Sequence, residues 1–376
     1  MRFNLWEDCN RVPLTELLSF VVDNRGKTVP TASSGHKLIA TNCVTNNTLF
    51  PVYEKIRYLS EETYQTWFRA HPIPGDILFV NKGTPGRVCL VPDPVDFCIA
   101  QDMIALRADE SKIYPKYLFA VLRSREIQQQ IYNTNVGDVI PHFKKQFLDQ
   151  LLIPIPERSI QESIGDLYYV LSLKAERNKK INDNLQQQAQ AIYSSMFIDN
   201  PEPAWTHGHL SDLVTVKYGK DHKKLSEGIY PVYGSGGIMR YVERPLYDKE
   251  SVLIPRKGTL NNVMYVNQPF WSVDTMFYTE MKLPNVAKFV YHFVKAKDLA
   301  SMNAGSAVPS MTTDILNAME VVIPSASALE EFEALVAPMY ETMEANDVQS
   351  QALSKVRDTL LPKLMSGEID VSAVQL

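Results

Sequence analysis

Two Lys-Gly-Thr triplets, Lys82–Thr84 and Lys257–Thr259, stand in matching surroundings, DILFVNKGT and SVLIPRKGT. An ammonium and a hydroxyl on a glycine loop suit anion binding, because the glycine lets backbone amides approach a phosphate. Further cations surround the first triplet: Arg25 and Lys27 in DNRGKT, Arg87 in NKGTPGR, and the pair Lys144 and Lys145. Around the second lie Lys217, Lys220, Lys223 and Lys224 in VKYGKDHKK, and Arg256, Asn261 and Asn262 in PRKGTLNN. Arg and Lys reach phosphates or guanine edges, and Asn pairs with adenine. Any one of these residues alone reads as a solvated charge or a turn. Recurrence of the triplet at one point of two similar segments is harder to assign to solubility.

Other reactive patterns carry less. Pro92-Asp93 followed by Glu110-Ser111-Lys112 satisfies the loose PD-(D/E)xK pattern, in which carboxylates hold Mg²⁺ and the Lys assists hydrolysis. That chemistry needs its ExK element on a strand, whereas ADESKIYP is polar and ends in Pro, and the later segment has Asn267-Gln-Pro instead. Gly234-Ser-Gly-Gly237 follows Tyr230-Pro-Val-Tyr and leads into no apolar helix, so it reads as a turn. His142, His207, His209, His222 and His292 show no metal spacing. Cys9, Cys43, Cys89 and Cys98 form no CxxC pair and are expected as free thiols. No catalytic, cofactor-binding or metal-binding residue is expected.

The elements that position the triplets occur twice. Gly137 to Pro156, GDVIPHFKKQFLDQLLIPIP, is restated by Gly305 to Pro324, GSAVPSMTTDILNAMEVVIP, with Gly, Pro, Leu and Pro meeting at one fixed interval. The triplets lie at a slightly longer interval, so loop lengths differ between copies. Each copy opens on a short apolar segment, Leu14 to Val22 or Leu210 to Val216. Short runs rich in β-formers follow: Ile77 to Val80, Arg87 to Val91 and Met103 to Leu106, then Val252 to Ile254, Val263 to Val266 and Met276 to Tyr278. Lys116 to Ile131 and Val286 to Ala300 carry helical periodicity. Each copy is therefore expected to be an α/β domain, of α+β type, with a curved, mixed sheet.

A long helix with heptad character follows each copy. Steps of four and three from Ile160 reach Ile164, Leu167, Leu171, Lys174, Asn178 and Ile181, and the matching steps from Ala328 reach Phe332, Leu335, Met339, Thr342, Asn346 and Gln349. Both seams are polar in the middle and place Asn at the same step. Since a buried polar seam residue fixes register, an antiparallel pair with Asn178 near Asn346 is expected. Pro338 predicts a kink or a preceding turn. About 38 residues at roughly 1.5 Å each make a rod of about 57 Å. The expected domains are 1–156 and 201–324, with spacer helices in 157–200 and 325–376.

The formal charge of −5 taken alone opposes nucleic acid, but nine acidic and three basic residues in 325–376 account for the excess. The two α/β segments are near neutral and carry local basic clusters. No basic n-region with an apolar run opens the chain, and no window approaches a membrane span. A cytoplasmic protein without membrane contact is expected. Two similar domains on antiparallel rods form a pseudo-twofold object, which suits two half-sites on duplex DNA.

With RGKT at Arg25 to Thr28, GDILFV at Gly75 to Val80, the segment ending IPIP at Pro156, and LLPKLMSGEID at Leu360 to Asp370, the chain resembles the specificity (S) subunits of type I restriction enzymes along essentially its whole length. The resemblance implies two target recognition domains, each reading half of a bipartite target. It implies helices that dock two methyltransferase (M) subunits and thereby the restriction (R) subunits, with S-adenosylmethionine, ATP and Mg²⁺ on those partners. One departure is visible: the family's Glu-Gln after the proline pair is replaced by Gln161-Glu162 and Leu329-Glu330. Two rival classes remain: a coiled-coil interaction scaffold, which explains the acid charge but not the loops, and the PD-(D/E)xK nuclease.

Overall fold

A computed structural model describes residues 4–24, 26–134, 140–302 and 310–370. The chain divides into two compact units, one of residues 1–181 with 345–376, the other of residues 182–344.

In the first unit β1 (Asn10–Pro13) pairs antiparallel with β9 (Leu152–Ile155). Strands β2 (Leu18–Val22), β8 (Met103–Ala108), β5 (Ile77–Val80) and β6 (Val88–Leu90) form an antiparallel sheet in that order. A mixed three-stranded sheet runs β4 (Arg57–Leu59), β3 (His36–Ile39), β7 (Phe97–Ile99), the last pair parallel. Every residue of Ile77–Val80 is buried, which is why this strand reads as an unbroken apolar run rather than an alternating one.

The second unit repeats the scheme strand for strand. Strand β10 (Thr206–His209) pairs with β18 (Glu320–Ile323), and the four-stranded sheet runs β11 (Val214–Tyr218), β17 (Met276–Met281), β14 (Ser251–Pro255), β15 (Met264–Val266). The mixed sheet runs β13 (Gly237–Val242), β12 (Tyr230–Gly234), β16 (Trp271–Ser272), with β12 and β16 parallel. Each strand thus corresponds to the one nine places earlier. The two-domain mixed α/β fold expected from the repeat is the fold observed.

A helix covers each four-stranded sheet, Pro115–Leu122 in the first unit and Ala287–Lys295 in the second. Arg123, at the end of the first, donates to the Val88 carbonyl at 2.7 Å, and Lys295 in the second donates to that of Val263 at 3.5 Å. Lys116 pairs with Asp166 at 2.6 Å and Lys288 with Glu333 at 2.6 Å, so one basic residue ties each sheet helix to a long helix.

The long helices run Arg158–Ser194 and Ala326–Met365. In the first unit Ser172 accepts from Arg357 and Asn178 donates to Gln349, so rising numbers on one helix meet falling numbers on the other. In the second unit Asn182 donates to the Met343 carbonyl at 3.0 Å. The pairing is antiparallel. Its buried positions depart from the heptad seam: Tyr168, Ser172, Ala189 and Tyr193 are buried, whereas Lys174, Ile181 and Leu335 are exposed. Extra steps of four, Ile164 to Tyr168 to Ser172 and Ala189 to Tyr193, lengthen the mean step of the buried stripe beyond 3.5 toward the 3.6 residues of a helical turn. The helix also continues through Pro338, whose missing N–H falls opposite exposed Ala334, where water can satisfy the carbonyl.

Leu361, Leu364 and Met365 enter the first unit's core beside Ile164 and Tyr168. In the second, Phe197 packs edge-on against Phe289 at 4.9 Å and Phe332 at 5.2 Å. Gln161, where the family pattern differs, is buried and accepts from the Tyr114 amide while donating to the Pro156 carbonyl, both at 2.9 Å; Leu329 fills the corresponding place with apolar surface.

Candidate nucleic-acid interface

Both triplets leave the same end of a central strand and are held by the same backbone bonds. The Asn81 and Lys82 amides donate to the Asp102 carbonyl at 2.9 and 3.3 Å, and Phe143 donates to the Asn81 carbonyl at 2.8 Å. In the second unit Arg256 and Lys257 donate to Thr275 at 2.9 and 3.2 Å, and Met311 donates to Arg256 at 2.9 Å. Isolated bridges join Lys82 to His142 and Lys257 to Ser310. Gly83 and Gly258 take φ of 85° and 86°, where a side chain would be strained. The triplets are therefore equivalent in space as well as in sequence. Each is pinned by its backbone while its lysine stays exposed.

Lys27, Lys82, Arg87 and Lys144 are exposed, and Thr84 is half-buried. The amide of Gly83 donates to the Pro141 carbonyl at 3.0 Å, which brings the Lys82 loop beside the segment leading to Lys144. Lys145 instead pairs with Asp23. Arg25, Gly137, Gly305 and Pro309 lie outside the described residues.

In the second unit Lys220, Lys223, Lys224, Lys257 and Thr259 are exposed. Lys217 lies 3.7 Å from Glu280. Arg256 sits over the Tyr218 ring at 5.4 Å and donates to the Asp274 carbonyl at 3.2 Å. The Lys220 carbonyl accepts from the Trp271 indole at 2.8 Å, which holds the lysine-rich loop against the mixed sheet. The asparagines are committed within the fold: Asn261 donates to Asp298 and accepts from the Ala300 amide, both at 3.0 Å, and Asn262 donates to the Ser235 carbonyl at 2.8 Å. In this structure both asparagines brace the loop.

Sequence reasoning passed over Tyr218, although an exposed aromatic between lysines in VKYGK is the signal for a cationic surface with a stacking platform. The turn expected at Gly234 to Gly237 is present, but its place beside the second triplet was not read from the sequence. A Cβ on Gly258 would meet the Ser235 Oγ at 2.7 Å, so this turn lies directly on the Lys257 loop.

The PD-(D/E)xK alternative finds no strand for its second element. Glu110, Ser111 and Lys112 form a turn, with Lys112 paired to Asp109 at 3.2 Å and donating to the Glu16 carbonyl at 3.0 Å. Among the described residues no group of three or more His, Cys, Asp or Glu could hold a metal ion, and no helix is long and apolar enough to cross a membrane.

The family model described as the type I restriction modification DNA specificity domain matches residues 21–187 and again 203–332. The chain belongs to this family. It is 22% identical over 341 residues to the MjaIX specificity subunit of Methanocaldococcus jannaschii, covering 79% of this chain and 78% of that protein. It is 20% identical over 410 residues to the HindI specificity subunit of Haemophilus influenzae, covering 78% and 86%. The type I S subunit structure from M. genitalium has the same fold, with a TM-score of 0.61 at 18% identity over 96% of this chain and 98% of that one. As a type I specificity subunit the chain serves recognition of DNA sequence, and each match spans one of the duplicated loop-and-sheet units and runs on into the long helix that follows it.

Proposed function

We propose that the chain reads a bipartite duplex target, with residues 1–156 and 201–324 each reading one half, and that it performs no catalysis itself. The helices of 157–200 and 325–376 dock two methyltransferase subunits and, through them, restriction subunits in the cytoplasm. S-adenosylmethionine, ATP and Mg²⁺ belong to those partners. The reading rests on one observation: the two Lys-Gly-Thr loops share their backbone bonds and leave Lys82 and Lys257 exposed. Lys27, Arg87 and Lys144 join Lys82 on phosphates. Lys220, Lys223 and Lys224 join Lys257, and Arg256 and Tyr218 give stacking surface.

Exchange of residues 201–324 for the same region of a related subunit tests this reading by methylation mapping in the host. One half of the methylated motif is expected to change while the other persists. Simultaneous change of both halves, or persistence of the original motif, overturns independent readout. Metal-dependent cutting by the isolated chain favours the nuclease, and assembly with no DNA retention favours the scaffold.

A further inference from the structure

Strand β13 is an edge strand, and its outer residues are apolar. Ile238 is 44% exposed, Met239 62% and Tyr241 44%. Three large apolar side chains on six residues of edge strand are an uncovered surface of the kind that marks a contact site.

The neighbours of this edge say what covers it. The hairpin tip rests on the Lys257 loop through Gly258 and Ser235. On its other side Arg240 donates to the His222 carbonyl at 3.3 Å, which lays the Lys223-Lys224 loop alongside the strand. Those three lysines are exposed, and no ion pair is formed by them among the described residues. The acidic residues Glu227 and Glu243 lie at the far end, where a Cβ on Gly228 would meet Glu243, away from the tip. Asp221 in the lysine loop accepts from the Lys223 amide at 3.0 Å, one carboxylate against Lys220, Lys223 and Lys224, so charge favours an anionic partner at the tip. Met239 is set by its surroundings: a Cβ on Gly234 would meet its sulfur at 2.6 Å, so glycine there leaves room for it.

The corresponding edge in the first unit, β4, carries exposed Arg57 and half-buried Tyr58. The loops that bind backbone are alike in the two units, and the edges beside them differ. Readers of two different half-sites need that combination. We infer that the tip-proximal edge of β13, Ile238, Met239 and Tyr241, contacts bases in the major groove through thymine methyl groups, while Lys223, Lys224 and Lys257 hold the flanking phosphates. A two-stranded ribbon fits that groove, and the thymine methyl is its apolar mark. The inference rests on the half-site reading proposed above.

The test uses the assembled methyltransferase complex and duplexes in which thymines of the half-site assigned to 201–324 are replaced singly by deoxyuridine, which lacks only the methyl. At least one replacement is expected to weaken binding about fourfold, the effect of one buried methyl. Met239→Ser or Ile238→Ser should abolish that penalty without changing the salt slope, and Met239→Leu should retain it. Indifference of the wild type to every uracil, or an undiminished penalty in the serine variants, overturns the inference. So does loss of partner assembly in those variants with the melting temperature unchanged, since the edge is then a protein surface. A wild type without sequence preference instead overturns the half-site reading beneath it.

Discussion

Asn178 donates its side-chain amide to the backbone carbonyl of Asn346 at 3.3 Å, and to Gln349 and Ser350 at 2.9 and 3.2 Å. Asn178 is buried, so its polar head relies on these partners rather than on water. Asn178→Ala removes every one of these bonds, but Gln349 is exposed and can turn to water. The expected cost is about 1 kcal/mol in urea denaturation. A cost near zero would assign the register to the apolar ends of the helices.

Gly165 lies on the first long helix where Pro115–Leu122 crosses it, and a Cβ there would meet the backbone nitrogen of Tyr117 at 2.5 Å. Alanine is the better helix former by about 1 kcal/mol. The clash is with backbone, which cannot rotate away, so overpacking should win. Gly165→Ala is expected to destabilise by roughly 1–3 kcal/mol, read as a lowered denaturation midpoint.

His292 is fully buried between Gln190 at 2.8 Å and the Tyr340 hydroxyl at 3.0 Å. Burial pushes its pKa down to about 4 from the ordinary 6.5. The unfolded chain binds a proton below about pH 6.5 that the folded chain refuses until about pH 4, so this contribution to stability is full above that window and is lost as pH falls through it. The loss reaches about 3 kcal/mol at most. His292→Gln keeps a polar side chain that does not titrate, and its stability should depend less steeply on pH between 6.5 and 4 than the wild type's. Parallel pH profiles for the two proteins would remove His292 from the account of acid unfolding.

The repeat, the two triplets and the pairing of Asn178 with Asn346 were legible because each is punctuation that survives divergence: glycine at positive φ, a basic residue on a fixed loop, and a polar residue in an apolar stripe. The remaining features depend on partners far away in sequence. Lys145 looks identical to Lys144 until the fold brings Asp23 to it. Asn261 and Asn262 suit adenine by type, yet their amides meet Asp298 and Ser235. Leu361 and Leu364 read as the end of a spacer, but they complete the first unit's core. The apolar residues of β13 come as the pairs Ile238-Met239 and Tyr241-Val242 with no clean alternation, and only the sheet order reveals an edge.

Lys82 and Lys145 separate the two kinds of cation directly. Each phosphate contact releases counterions, so removing one should reduce the log-log salt slope of DNA binding by about 0.9. Lys82→Ala and Arg87→Ala in the assembled complex should each lower the slope by that amount, as should Lys257→Ala in the second unit, with the base preferences of both half-sites retained because phosphates carry no sequence. Lys145→Ala should leave the slope nearly unchanged, since Asp23 already neutralises that charge. The measurement is an affinity titration at several salt concentrations with each variant. Equal slopes for Lys82→Ala and the wild type would make the exposed lysine of the triplet an ordinary surface charge, and the conserved backbone bonds of the two loops would then serve the sheet alone.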